Sequence, residues 1–173
     1  MREELIHILE DYPNQKEREF SGNDLAFYIR REARDAVANA LPSDLRSAFK
    51  INASAGQGTW AEVPWIGIFD REITESAIHG YYIVYLFSAN VSAEYLSTNQ
   101  RWTFFRDTFG PRMAREKISI AATALRRLLA DIDDMVEERI DLASGRELGV
   151  GYELGHICGR KYEHAQSLVT KSL

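Results

Sequence analysis

The sequence predicts an α+β fold: a mixed or antiparallel sheet of about four to five strands, flanked by N-terminal helices and by one long helix after the sheet. Three observations predict it. Apolar residues recur at helical spacing near the amino end, alternate from Leu45 to about Gln100, and return to helical spacing after Trp102.

The elements follow in order. Leu5, Ile8 and Leu9 place a short amphipathic helix over Arg2 to about Tyr12, and "PNQKERE" reads as a polar connection. A second helix is expected from Ser21, which with Asp24 resembles a capping box, to just before Pro42. "SAFKINAS", "PWIGIFD", "GYYIVYLFS" and "SAEYLST" are rich in aromatic and β-branched residues and read as four strands. Ile118, Ala121, Leu125, Leu128 and Ile132 fall on one stripe, so a helix from about Gly110 or Arg112 to Asp133 should pack on the sheet. The remainder reads as a short strand or extended piece, a glycine-broken loop and a last helical turn or two. No internal repeat or linker interrupts this order, so residues 1–173 are expected to form one domain.

The chain has 173 residues and a net charge of -5. That length allows roughly two-thirds of the unfolded surface to be buried. A single cysteine, Cys158, rules out an internal disulfide. No apolar run approaches the ~20 residues of a membrane span, and the amino end does not resemble a signal peptide; together these point to a cytoplasmic setting without membrane partners. The acidic balance argues against indiscriminate coating of nucleic acid. Charge is uneven, however: from Asn99 to Arg127 seven basic residues face two acidic ones, whereas "DIDDMVEERID" carries six acids and one arginine. A basic patch on an acidic chain suits a selective partner, and a solvated helix face explains it equally well.

Catalytic signatures are missing. "GQGTWA" satisfies the loose G-x-G-x-x-G/A pattern, but Pro64 and the strand-like "VPWIGIF" leave no helix N-terminus to meet a pyrophosphate. No Walker lysine follows. His156 and Cys158 lack the further ligands of a metal site, the deaminase signature is absent, and no lysine follows a glutamate at the spacing of a restriction-type nuclease core. The expectation is therefore a binding domain with no catalytic residue, metal or cofactor.

Alternation in "GYYIVYLFS" puts Tyr82, Val84 and Leu86 on one face and Tyr81, Ile83, Tyr85 and Phe87 on the other. Two apolar faces fit an ordinary central strand. With Trp65 on a neighbouring strand they fit equally an aromatic slot that holds a flat ring by stacking.

"GQGTWAEVPWIGIFD", followed by "GYYIVYLF" and more weakly by "GYELGHICGRKY", resembles the McrB-like N-terminal DNA-binding domains of methyl-directed restriction proteins. The resemblance implies recognition of a modified cytosine such as 5-methylcytosine in double-stranded DNA, by rotating the base into a pocket. It implies Trp65, Tyr82, Leu86 and Tyr152 as pocket residues, and Gly56, Gln57, Gly58 and Trp60 as the loop that enters DNA. Gln57 stands where the family carries a tyrosine wedge. Arg101, Arg106, Arg112, Arg160 and Lys161 are the expected phosphate contacts. A nuclease or AAA+ motor would lie on other domains or subunits, and the chain is expected to be a recognition module cut from a longer protein. Recognition of an unmodified site by groove contacts, or an adaptor surface that binds protein, are the alternatives.

Overall fold

The computed structural model describes residues 1–77, 80–129 and 139–163. Helix α1 (Arg2–Lys16) is followed by α2 (Asp24–Tyr28), which runs through a π-helical turn (Ile29–Ala33) into α3 (Arg34–Ala40). Strands β1 (Phe49–Gly56), β2 (Trp60–Asp70), β3 (Tyr81–Phe87) and β4 (Ala93–Gln100) come next, then α4 (Trp102–Leu128), α5 (Glu147–Gly155) and β5 (Cys158–Glu163). The strands form one sheet in the order β1-β2-β3-β4-β5, with every neighbouring pair antiparallel. This is the α+β fold that the sequence predicts.

Alternation sorts the sheet into two faces. Ala55, Ile66, Ile68, Tyr85 and Phe87 pack on Leu5, Ile8, Ile29 and Ala33 of the N-terminal helices. The opposite face carries Phe69, Tyr82, Val84, Leu86 and Tyr95, covered by Ile140, Leu142 and Tyr152. Each fully buried aliphatic side chain in these layers contributes about 1.5–3 kcal/mol. Tyr81 and Ile83 remain exposed, so the helices cover only part of their face of β3.

Several boundaries differ from the sequence reading. Helix α1 continues past Tyr12 through Pro13 to Lys16, and its last turn is held by Asn23, whose Nδ2 donates to Gln15 Oε1 at 2.9 Å. The cap of α2 is Asn23 rather than Ser21: its Oδ1 accepts from the Leu25 backbone N–H at 2.9 Å. Strand β2 begins at Trp60, which pairs with Gly56 of β1, and it tolerates Pro64 because pairing with β3 starts only at Trp65.

Helix α4 starts at Trp102 and turns at Gly110, whose φ of 75° breaks the helical path beside Pro111. Its buried side is Ala114, Ile118 and Ala122, joined by the partly buried Leu125 and Leu129; Leu128 is 81% exposed, which corrects the expected stripe. The expected end at Asp133, with Ile132, lies outside the described residues.

The tail is the largest correction. Its expected glycine-broken loop is helix α5, and a strand, β5, follows it directly. Glycine weakens a helix by about 1 kcal/mol per residue, but here close packing outweighs propensity. A Cβ at Gly151 would overlap the Trp102 indole, and one at Gly155 would lie 2.7 Å from Asn99 Oδ1.

Candidate nucleic-acid interface

The hairpin of β1 and β2 ends in an exposed tip, Gln57, Gly58 and Thr59. Pairing register shifts between Ser54 and Gly56. Gly56 has φ 130°, and a Cβ there would overlap the Thr59 carbonyl oxygen; Gly58 has φ 69°. Only glycine suits Gly56 on both counts.

The hairpin's root is clamped. Trp60 is 7% exposed and lies edge-on to Tyr12 and Phe20 at 5.3 and 5.1 Å, while its Nε1 donates to the Arg18 carbonyl at 2.9 Å. Tyr12 donates to the Ala61 carbonyl at 2.6 Å, and Arg30 Nη2 to the Gly56 carbonyl at 2.7 Å. Trp60, grouped with the DNA loop by resemblance, is thus placed as an anchor of the stem. Arg30, carried on the π-helical turn, is an anchor that no local sequence signal marks.

A cavity of about 470 Å³ runs along the same hairpin and is lined by Trp65, Tyr82 and Tyr152, three of the four residues grouped from sequence, together with Gln57 at the tip. Phe69 completes the aromatic wall, edge-on to Trp65 at 6.4 Å and tilted against Tyr82 at 5.4 Å. Gly67 lies between them on the same face, and a Cβ there would come within 3.4 Å of the Trp65 ring and closer still to Phe69. The bare backbone lets the Phe69 ring lie over the strand. Leu86, the fourth grouped residue, is fully buried beside Trp65, its partner in register on β2, and does not line the cavity.

Burial, reinforced for Tyr82 by nearby Tyr152, pushes both phenols up, so each remains a neutral O–H donor at neutral pH. A buried network positions Tyr152. Asn99 Nδ2 donates to the Tyr152 carbonyl at 2.9 Å and to Ser97 Oγ at 3.1 Å, and Ser97 Oγ lies 2.7 Å from His156 Nδ1. The segment before α5 is tied to β2 by Glu62, which accepts from the Ser144 hydroxyl and from the Arg146 N–H at 3.2 Å. Burial alone would raise that carboxyl, but these bonds and the Arg146 charge hold it below its ordinary value.

The family described as MrcB-like, N-terminal domain matches residues 7–173. The chain belongs to this family. Membership supports a DNA-binding domain of a restriction system, a binding role rather than a catalytic one. No curated protein and no solved structure matches the chain.

In this MrcB-like domain the five expected phosphate contacts divide into two groups. Arg101, Arg106 and Arg112 lie at the start of and along α4, whose first residues, Trp102 and Thr103, line the cavity. The Arg101 guanidinium stands 4.2 Å from the Phe104 ring centroid, and Arg106 pairs with Asp107 at 2.8 Å. Arg160 and Lys161 belong to β5, at the edge of the sheet opposite β1, about 19 Å across four strand spacings. Lys161 pairs with Glu163 at 3.0 Å. Among the described residues there is no cluster of three metal-ligating side chains, and no helix is long and apolar enough to cross a membrane.

Proposed function

We propose that this MrcB-like domain reads a modified cytosine in double-stranded DNA by taking the base out of the stack and into the cavity. The observation that carries the reading is the placement of an exposed loop tip, Gln57, on the rim of an aromatic cavity containing Trp65, Tyr82 and Tyr152. Extruding a base costs a few kcal/mol. Stacking against aromatic side chains returns about 1–3 kcal/mol. Gln57 would occupy the vacated position, and its amide would bond the orphaned guanine while the clamped stem keeps the tip in register. The Tyr82 and Tyr152 hydroxyls would serve as neutral donors to the base. Leu86 would support Trp65 from the neighbouring strand.

The domain would deliver specificity to a nuclease or AAA+ motor elsewhere in the same system, working in the cytoplasm. Its test is a titration at fixed salt with three labelled duplexes: one carrying a single modified cytosine, its unmodified twin, and a scrambled sequence. Preference for the first supports this reading. Equal binding of the first two above the third favours recognition of an unmodified site, and no binding to any leaves the adaptor reading.

A further inference from the structure

The cavity is large for a methylated pyrimidine, a single ring with one carbon attached. Its volume of about 470 Å³ falls within the ~300–1,000 Å³ range of sites for drug-sized ligands. Its wall is also chemically divided. Phe69, Tyr82 and Tyr152 make one part apolar, whereas Asn52 and Ser54 present polar groups on β1.

Asn52 and Ser54 are placed for a ligand by the sheet register. Ser54 lies directly across from Trp65, and Asn52 across from Gly67, over which the Phe69 ring lies. The Asn52 amide makes no hydrogen bond among the described residues. Ser54 Oγ accepts from the Gly56 N–H at 3.2 Å, which leaves its O–H free to donate. A half-buried indole flanked by an unengaged amide and by a hydroxyl whose proton is free suits a ring with an apolar face and a polar edge. A sugar is such a ring, since its C–H face packs on an aromatic surface while its hydroxyls require partners at the side.

We propose that the cavity accepts cytosine carrying a bulky, hydroxyl-rich 5-substituent, a hexose linked through a hydroxymethyl group, with the sugar against Trp65 and its hydroxyls bonded by Asn52 and Ser54. The inference rests on the base-extrusion reading and specifies its substrate. It makes the polar wall of β1 the determinant of which modification is taken.

The experiment compares duplexes identical except at one cytosine, which is unmodified, 5-methylated, 5-hydroxymethylated or glucosylated on the hydroxymethyl group. The whole domain is used, alongside the double variant Asn52→Ala/Ser54→Ala. Both side chains lie on the accessible side of β1, so the variant is expected to keep its melting temperature. The glucosylated duplex should bind at least about tenfold tighter than the unmodified one, and the double variant should lose about tenfold for that duplex alone. A methylated duplex that binds tightly beside a glucosylated one that binds no better than unmodified DNA would overturn the inference and leave the extrusion reading standing. A glucosylated affinity untouched in the folded double variant would overturn it too. Equal affinity for all four duplexes would remove the extrusion reading, and this inference with it.

Discussion

Gly151 of α5 lies directly against the indole of Trp102, so close that a Cβ at position 151 would overlap the ring. This contact seats α5, and therefore Tyr152, against the start of α4. Gly151→Ala should force one of the two elements outward at a cost of about 1–3 kcal/mol, even though alanine is the better helix former. Chemical denaturation of the two proteins measures this. A stabilised variant would show that α5 is set by propensity rather than by packing.

Gln57 sits at an exposed tip whose stem is held by Trp60, Tyr12 and Arg30. Gln57→Ala should change stability by less than about 0.5 kcal/mol. It should leave affinity for unmodified DNA nearly intact while reducing the preference for the target and the fluorescence of 2-aminopurine placed beside it. If both readouts match the unaltered domain, the tip does not enter the duplex.

The two groups of cations make separable predictions about where the phosphate backbone runs. Arg101 stands beside the α4 residues that line the cavity, whereas Arg160 lies on the far edge strand. Arg101→Ala should weaken all duplexes alike and lower the slope of log affinity against log salt by about 1. Arg160→Ala should do so only if the duplex spans the whole sheet. Salt titration of both variants reads the answer, and an unchanged slope for Arg101→Ala would remove it from the interface.

Glu94 supplies a pH prediction remote from the cavity. It is 9% exposed, its Oε2 has no hydrogen-bond partner, and burial raises its carboxyl to about 7. The fold therefore favours the protonated form. Unfolded chains lose this proton near 4.5, so stability should be full below that value and fall as pH rises to about 7, by about 3 kcal/mol in all. Glu94→Gln cannot titrate and should lack this fall when unfolding is followed from pH 5 to pH 8. An equally steep loss in the variant would assign the pH dependence to other groups.

How much of this was legible in the sequence depended on the range of the interaction responsible. Strand β3 could be read because period-two alternation is local and its two faces are what Tyr82 and Tyr85 display. The cavity's Trp65 and Tyr82 were reached through resemblance, and Phe69 could have been added from alternation alone, being two positions beyond Gly67. Helix α5 was hidden because Gly149, Gly151 and Gly155 speak against a helix locally and are explained only by Ser144 folding back from just before the helix and by Trp102 and Asn99 arriving from elsewhere in the chain. Thr103 and Arg30 carry no local mark at all; the turn into α4 and the π-helical turn bring them to the site.

If the cavity receives the modified base, filling the cavity should abolish discrimination. Thr103 lines it from the first turn of α4 and is only half-buried, so Thr103→Trp should fill the space without disrupting the fold. The decisive quantity is the ratio of affinities for a duplex with one modified cytosine and for its unmodified twin, at one salt concentration, with melting temperatures measured in parallel. That ratio should be at least about ten for the unaltered domain and near one for Thr103→Trp, with affinity for unmodified DNA retained. An unaltered ratio in a folded, blocked variant would mean that the base is read outside the cavity.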